Sequence, residues 1–469
     1  MAWHDSFDRM KVRPHILVVC PQAVGSAWQK AVSHFDSGDQ KPWDHQREAG
    51  DWLYARHAGM LAMEVGTGKT LAALMAVTRD GGSRPTECLD LTSGSGAKRA
   101  AALGKALESV GNKRLVVVVN YEACWQKSMA PALLTVQWSA IVLDESHRIK
   151  AAKGKASRWL AKLGERQPRA RRYLMTGTPM PHSPLDLYGQ FRFLDPGVFG
   201  TSFSGFRSRY AICDAHFHSK VKKWINQDEL GQRLASHSFR VTADDVLDLP
   251  SSLHDTIPVP LSTTARRFYK TLERDMVASI ADGTVTVGNA LTKLLRLQQA
   301  TGGYCRMDDH GMPSLLDGVP AKRLALADRL GDMPTTEPVV VFCKFRTDLN
   351  EIAAMARHMG REYAEVSGER KDLERWQAGE ATILGVQIAS GGAGIDLTRA
   401  CYAFYYSLGF SLGEYLQSLG RLMRPGQTRC VRYYHLVSPG TVDEHIYAAL
   451  RERRSVVDGV LESLGRVMA

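Results

Sequence analysis

The chain has 469 residues, more than one hydrophobic core usually supports, so the sequence predicts at least two domains. Hydrophobic residues make up 44% and charged residues 23% of the chain, and no apolar run approaches the length of a membrane span. This composition excludes a protein with membrane-spanning helices, and the net charge of +11 favours a polyanionic partner, nucleic acid first.

The cysteines indicate a reducing compartment. All eight are scattered along the chain and none forms a C-x-x-C pair, so we expect reduced thiols rather than disulfides or zinc ligands. The first residues lack a signal-peptide pattern. A cytoplasmic protein with no membrane association is therefore expected.

A buried strand is predicted near the N terminus. Residues 15–19 (HILVV) are almost entirely apolar, as in a strand of a parallel sheet that is covered on both faces, and Pro21 ends the run. A polar loop at residues 36–41 follows. The next segment, from Pro42 through Tyr54, is predicted to be a helix.

A glycine-rich loop, GTGKT, occupies residues 66–70 between an apolar run and a good helix former. Backbone N–H groups at such a helix N-terminus form a cradle for phosphate. Lys69 would reach the β- and γ-phosphates of ATP, and Thr70 would place its hydroxyl on Mg²⁺. The full P-loop pattern begins with glycine, whereas this chain has Met63 there, so a plain glycine turn is the alternative.

Strands that alternate with helices continue downstream and predict a parallel α/β sheet. Two acidic residues, Asp144 and Glu145, follow the apolar run at residues 138–143. Since ligands bind at the carboxyl ends of parallel strands, Asp144 is placed to hold Mg²⁺ and Glu145 to accept a proton from the attacking water. The alternative is an acidic pair in an exposed loop.

These segments together resemble a Swi/Snf-type DNA-dependent ATPase of helicase superfamily 2. Residues 66–70 resemble motif I, residues 144–147 motif II and residues 176–179 motif III. Segments within residues 206–250 resemble what such proteins carry between their two motor lobes. The resemblance extends over nearly the whole chain.

The second half repeats the alternation of apolar strands and helices and adds two further motifs. Residues 390–398 resemble motif V, and residues 417–427 resemble motif VI with every signature position filled. Arg421 and Arg424, spaced by three on a predicted helix, would point the same way and could neutralise charge on the γ-phosphate as arginine fingers. A solvated basic helix is the alternative.

The resemblance implies a role for individual residues. The expected catalytic residues are Lys69, Glu145, Gln417, Arg421 and Arg424. The expected nucleotide-binding residues are Gln46, which resembles the residue that reads adenine, with Gly66, Thr67, Gly68, Lys69, Thr70, Gly394 and Asp396. ATP and Mg²⁺ are the expected cofactors, with Thr70 and Asp144 on the metal.

The N-terminal strand departs from the family pattern. A strand that ends in Cys-Pro and is followed by a tryptophan comes after the phosphate-loop helix in the family, but here it lies at residues 18–28, before the loop. Either this strand fills the same place in the sheet from the N terminus, or residues 1–41 do not join the sheet. We favour the first, since an unfilled central strand would leave backbone groups unpaired.

The sequence therefore predicts an α/β protein with two RecA-like parallel-sheet lobes in tandem and helical insertions between them. Residues 1–41 form an N-terminal segment with the displaced strand, residues 42–196 lobe one and residues 197–250 a helical linker region. Residues 251–469 form lobe two, with a helical insertion at about residues 262–300.

The expected function is a monomeric motor on duplex DNA that hydrolyses ATP between its lobes and binds without sequence preference, because motor lobes track phosphates. A strand-separating DNA or RNA helicase is the alternative enzyme. A non-hydrolysing, ATP-gated DNA-binding scaffold is the alternative from another class. A compact motor without appended domains suits a bacterial or phage protein, which would act in the host cytoplasm.

Overall fold

The structure is a computed structural model that describes residues 15–38, 41–79, 84–181, 183–214, 221–281, 287–305, 314–391 and 395–452. It divides into two compact units, with the boundary between Leu247 and Asp248. None of the helices in these described ranges is both long and apolar enough to cross a membrane.

Unit 1 contains a parallel sheet of seven strands in the order β3-β4-β1-β5-β6-β2-β9. Its strands are β1 (His15–Cys20), β2 (Ala58–Met63), β3 (Thr86–Asp90), β4 (Arg114–Asn120), β5 (Trp138–Asp144), β6 (Arg171–Met175) and β9 (Ser238–Val241). A separate antiparallel hairpin consists of β7 (Ala211–Cys213) and β8 (Val221–Trp224).

Helices cover both faces of this sheet, which explains why its central strands are continuous apolar runs. They are α1 (Gly25–Ser37), α2 (Asp44–Tyr54), α3 (Lys69–Thr78), α4 (Gly96–Ser109), α5 (Tyr121–Cys124), α6 (Ala130–Thr135), α7 (Lys155–Arg166), α8 (Asp186–Leu194), α9 (Pro196–Phe199), α10 (Phe203–Tyr210), α11 (Gln227–Ser236) and α12 (Ala243–Val246). Short 3-10 turns occur at Gln22–Val24 and Ser146–Ile149.

Strand β1 lies in the middle of the sheet, between β4 and β5. Val18 is paired with Val118 on one side and Val142 on the other, and all six residues of β1 are buried. Leu17 and Val19 pack into the core on one face while Ile16 and Val18 pack into the core on the other. The N-terminal strand therefore joins the sheet beside the strand that ends at Asp144.

The region predicted as a helical linker, residues 197–250, contains helices and also contributes strands. Strand β9 within it pairs in parallel with β2 and forms an edge of the first sheet, and the β7–β8 hairpin also lies there. Only Val241 of β9 is buried, because an edge strand is covered less than a central one. A four-residue strand with mixed polarity gives no apolar run for sequence analysis to detect.

Unit 2 contains a parallel sheet of six strands in the order β10-β17-β16-β13-β15-β14. They are β10 (Ser252–Pro258), β13 (Val339–Cys343), β14 (Tyr363–Val366), β15 (Ile383–Gln387), β16 (Tyr402–Tyr405) and β17 (Val431–Val437), while β11 (Tyr304–Cys305) and β12 (Ser314–Leu315) form a small hairpin.

The helices of unit 2 again lie on both faces of the sheet, over two separate buried cores. They are α13 (Thr263–Ala281), α14 (Val287–Thr301), α15 (Ala321–Gly331), α16 (Arg346–His358), α17 (Leu373–Gln377), α18 (Ile388–Gly391), α19 (Leu412–Leu419) and α20 (Val442–Arg451). Two parallel sheets in tandem, each sandwiched by helices, make the fold that the sequence predicts.

Candidate active site

The glycine-rich loop follows β2 and ends where α3 begins. Gly66 and Gly68 adopt φ values of 89° and 80°, a left-handed conformation that favours glycine. A Cβ on Gly68 would lie 2.0 Å from Nε2 of Gln46, so the loop has no room for a side chain there. Thr67 is fully buried and its hydroxyl donates to the carbonyl of Glu64 at 2.8 Å. The loop is thus held in a fixed conformation by its own groups.

Lys69 is the first residue of α3 and folds back over the loop. Its ammonium donates to the carbonyl of Met63 at 2.9 Å and to that of Glu64 at 3.1 Å. Thr70 lies beside it in the first helical turn and is partly exposed. A cation and a hydroxyl therefore stand next to the free N–H groups of a helix N-terminus, which is the donor set that a polyphosphate needs.

Gln46 lies beneath the same loop, on α2. It is buried, its Nε2 donates to the carbonyl of Thr67 at 3.2 Å, and its Oε1 accepts from the backbone N–H of Trp43 at 3.0 Å. His45 contacts the same carbonyl through Nε2 at 2.8 Å. Both side chains thus attach α2 to the phosphate loop, and the adenine-reading role of Gln46 stays a prediction.

Asp144 is the last residue of β5 and is only 5% exposed. One carboxylate oxygen, Oδ1, accepts from the backbone N–H of Glu145 at 2.9 Å. The other, Oδ2, accepts from the indole Nε1–H of Trp28 at 2.9 Å. Burial, and next the charge of Glu145, raise the pKa of Asp144 to about 6, against the opposing effects of Trp28 and Lys69. Each carboxylate oxygen accepts one of these hydrogen bonds and keeps a further lone pair, with which it can bind a cation.

Glu145 has a φ of 51°, a left-handed conformation that non-glycine residues rarely adopt. Such strain persists where the surrounding structure imposes it, often at functional sites. Oε2 of Glu145 lies 3.4 Å from Nδ1 of His147, and that nitrogen lies 3.1 Å from Oγ1 of Thr176. The loop after β5 is therefore connected to the loop after β6.

Motif III also touches the phosphate loop. A Cβ on Gly177 would lie 3.3 Å from the carbonyl of Met63, so the two backbones approach closely. The hydroxyl of Thr176 accepts from the N–H of Thr178 at 3.1 Å. The structure thus brings motifs I, II and III together at the carboxyl ends of β2, β5 and β6, where a parallel sheet binds its ligand.

In unit 2, motifs V and VI form one cluster. Nη1 of Arg424 donates to the carbonyl of Ile395 at 3.2 Å, and the carbonyl of Arg421 accepts from the N–H of Leu397 at 3.1 Å. Gln427 is buried, and its amide donates to the carbonyl of Thr398, the end of motif V, at 3.2 Å and to that of Ala400, just after it, at 2.8 Å. Arg424 is therefore anchored to motif V.

The prediction that Arg421 and Arg424 lie on a helix is wrong. Helix α19 ends at Leu419, and both arginines lie in the turns that follow it. Gly420 and the Pro425-Gly426 pair supply the reason, since neither residue type sustains a helix. Arg421 is 8% exposed, whereas Arg424 is more accessible. The two side chains consequently occupy different environments.

Three other predicted site residues belong to unit 2, namely Gln417, Asp396 and Gly394. Gln417 lies on α19 and is partly exposed. Oδ1 of Asp396 accepts from the N–H of Thr398 at 2.9 Å and from its hydroxyl at 2.8 Å, so this carboxylate stabilises a turn. Gly394 lies outside the described residues. The nucleotide-binding roles of Gly394 and Asp396 stay predictions.

Sequence analysis missed three side chains of the site. Trp28 and Thr176 contact residues of motif II, and His147, which belongs to motif II, contacts Glu145. Only His147 and Thr176 lie in motif segments found in the sequence. The signal for His147 and Thr176 was their position directly after apolar strands. No local pattern links Trp28 to Asp144, because 116 positions separate them.

Two known family models match this chain. The SNF2-related domain matches residues 95–303, and the helicase conserved C-terminal domain matches residues 321–426. The chain belongs to the Swi/Snf-type ATPases of helicase superfamily 2. The first of these matches begins downstream of β1 and the phosphate loop of this Swi/Snf-type protein.

Individual relatives are distant. Protein p41 of Acyrthosiphon pisum secondary endosymbiont phage 1 is 26% identical, over 80% of this chain and 81% of that protein. The chicken DNA repair and recombination protein RAD54B is 24% identical, over 89% of this chain and 54% of the length of RAD54B. A solved Sulfolobus solfataricus SWI2/SNF2 ATPase core in complex with double-stranded DNA aligns over 90% of this chain and 93% of its own, with a TM-score of 0.37 and 20% identity.

Proposed function

We propose that this Swi/Snf-type protein hydrolyses ATP and uses the cycle to move along duplex DNA. The observation that carries the proposal is the convergence of Lys69 with Asp144 and Glu145, from two separate segments, at the carboxyl edge of one parallel sheet. Phosphoryl transfer to water requires a cationic loop that binds the phosphates, a carboxylate for the metal ion and a group that acts on the water. The loop with Lys69, the buried Asp144 and the adjacent Glu145 can supply these parts.

The residues present fit Mg²⁺. Asp144 offers a carboxylate that is nearly buried, and Thr70 offers a hydroxyl at the start of α3. Hard oxygen donors of this kind, with few protein ligands, suit Mg²⁺. When bound, Mg²⁺ would neutralise charge on the phosphates. Lys69 would bind the β- and γ-phosphates, and the loop N–H groups would orient them.

Glu145 is the proposed general base. Its carboxylate would accept the proton of the attacking water, and the contact with His147 restrains where that carboxylate points. Arg421 and Arg424 are proposed to stabilise charge on the γ-phosphate, which requires unit 2 to bring them to the nucleotide. Gln417 is proposed to take part in catalysis with these arginines, and Asp396 is proposed to bind the nucleotide.

The proposed track is duplex DNA, bound by its phosphates and without sequence preference. The net charge of +11 and the DNA repair and recombination role named for the relative RAD54B support it. The phage origin of the relative p41 supports action in the cytoplasm of a bacterial host. We propose a monomer, since one chain carries motifs I, II, III, V and VI.

The test is the ATPase rate of the purified chain with no nucleic acid, single-stranded DNA, duplex DNA and RNA. We expect strong stimulation by duplex DNA. Stimulation by RNA or single strands alone would favour a strand-separating helicase. ATP binding without turnover under all four conditions would favour the non-hydrolysing scaffold.

A further inference from the structure

Trp28 is an unexpected neighbour of the metal-binding position. Its indole Nε1–H donates to Oδ2 of Asp144 at 2.9 Å, and the side chain is 1% exposed. An indole N–H can only donate, so Trp28 cannot bind a metal or accept a proton. It occupies one lone pair of Oδ2 and leaves the remaining lone pairs of the carboxylate for another partner.

Helix α1 holds Trp28 in place. Gly25, one turn earlier on the helix, sits so close to the loop after β3 that a Cβ would lie 2.6 Å from the side chain of Thr92 and 2.8 Å from Oδ1 of Asp90. Trp28 itself packs in the core that contains Val18 of β1. The indole is therefore fixed by a tight helix contact on one side and by the sheet core on the other.

The carboxylate of Asp144 is restrained at both oxygens. Oδ2 accepts from Trp28, and Oδ1 accepts from the backbone N–H of Glu145 at 2.9 Å. Two hydrogen bonds at different oxygens define the plane of a carboxylate, whereas one leaves it free to rotate about χ2. Outer-shell donors of this kind orient metal ligands, and their loss typically costs tenfold to a hundredfold in metal affinity.

We propose that Trp28 is a positioning residue that orients Asp144 for Mg²⁺. The N-terminal segment at residues 15–37 then contributes to the nucleotide site as well as to the sheet. The inference rests on the proposed function, because it assigns Asp144 to the metal. Its alternative is that Trp28 contributes packing alone.

A matched pair of variants separates these two roles. Trp28→Phe keeps an aromatic ring in the core and removes the N–H donor to Asp144. Trp138→Phe does the same at a residue that is 3% exposed, lies on β5 itself and donates its indole N–H to the carbonyl of Leu133 at 2.8 Å. Both variants lose one buried indole hydrogen bond, but only the first loses a bond to Asp144.

The measurement is the affinity of the full-length protein–ADP complex for Mn²⁺, a paramagnetic probe for the Mg²⁺ site, by electron paramagnetic resonance, together with the melting temperature. We expect Trp28→Phe to weaken Mn²⁺ binding by about tenfold or more. Trp138→Phe should bind Mn²⁺ as the wild type does, although both variants melt at lower temperature. Equal Mn²⁺ affinity in the two variants would overturn the positioning role.

Two further outcomes are distinguishable. If the wild type hydrolyses ATP and Trp28→Phe keeps its Mn²⁺ affinity, the positioning role fails and the proposed function stands. If the wild type binds ADP without Mn²⁺, both fail. Should Trp28→Phe not fold, 3-benzothienylalanine at position 28 keeps the shape of indole and replaces the N–H by sulfur. The same tenfold loss is expected for it, and unchanged affinity would overturn the inference.

Discussion

His147 and Thr176 connect the loops that follow two adjacent strands. Nδ1 of the imidazole lies 3.1 Å from the threonine hydroxyl and 3.4 Å from Oε2 of Glu145. The hydroxyl also accepts from the N–H of Thr178. The acid that we assign as general base is therefore attached, through one imidazole, to the motif III loop that contacts the phosphate loop.

The first prediction contrasts Glu145→Gln with Lys69→Ala. Glu145→Gln should keep ATP affinity and slow hydrolysis by about a hundredfold or more, since an amide cannot accept the proton from water. Lys69→Ala should instead weaken ATP binding, because a charge on the phosphates is lost. Nucleotide titration and single-turnover rates of both variants give the comparison. Near-normal turnover in Glu145→Gln would end its assignment as the base.

The second prediction concerns the nucleic acid. If phosphate contacts dominate, affinity for duplex DNA should fall by orders of magnitude between about 50 and 200 mM salt. Two duplexes of equal length and unrelated sequence should show the same affinity and the same slope. Fluorescence anisotropy at several salt concentrations measures both quantities. A clear preference for one sequence, or a shallow slope, would contradict binding through the backbone.

The third prediction concerns β1. Because it pairs with β4 and β5 and is wholly buried, deletion of residues 1–41 should leave each of these strands unpaired on one side and give an insoluble or inactive protein. Val18→Asp should do the same by placing a charge in the core. Ser33→Asp, on the exposed side of α1, is the control and should be tolerated. A truncated protein that keeps DNA-stimulated ATPase activity would show that the segment is an appendage.

Long apolar runs are the strands that a sequence shows most clearly. Runs such as the one in β4, LVVVV, are buried on both faces and remain visible in any local window. Strand β10 was missed because six of its seven residues are exposed at the sheet edge. Strands β16 and β17 were missed because tyrosines, a histidine and an arginine replace the aliphatic run.

Local sequence patterns are also insufficient to predict parts of the candidate site. Motif spacing located Lys69, Asp144 and Glu145, since each follows or precedes an apolar element within a few residues. It did not find that α19 stops before Arg421, because a helix end depends on the turn chemistry of Gly420 and Pro425. The contact between Trp28 and Asp144 depends on the order of strands in the sheet, which no local pattern contains.

The fourth prediction concerns pH and Asp348, on α16 of unit 2. Burial raises the pKa of Asp348 to about 6, against an opposing hydrogen bond from Ser407. The pKa of this carboxyl in the unfolded chain is near 4. The proton that Asp348 binds in the folded protein therefore stabilises the fold fully below about pH 4, and this stabilisation is lost as the pH rises through about 6. This difference of about two pKa units between the folded and unfolded states corresponds to about 3 kcal/mol of unfolding free energy.

Asp348→Asn cannot titrate and should lack this dependence. We therefore expect the stability of the wild type relative to Asp348→Asn to fall by up to about 3 kcal/mol between pH 4 and pH 7, as measured by urea unfolding. Asp332→Asn, at an exposed position beyond α15, is the control and should show little difference at any pH. A difference for Asp348→Asn that does not vary with pH would contradict a buried, proton-binding carboxyl.

The last prediction is that Arg424 acts in the transition state. Its side chain is partly exposed, so replacement should disturb the fold little. The substitution removes one hydrogen bond, from Nη1 to the carbonyl of Ile395. Arg424→Ala should reduce the DNA-stimulated kcat far more than ATP affinity, since the charge that it meets develops during phosphoryl transfer. Arg424→Lys keeps the charge without the planar fork and should restore only part of the rate. Arg432→Ala, an exposed arginine on β17, is the control and should leave kcat unchanged. If ATP affinity collapses in Arg424→Ala while kcat is unchanged, this arginine binds the ground state and the finger role is wrong.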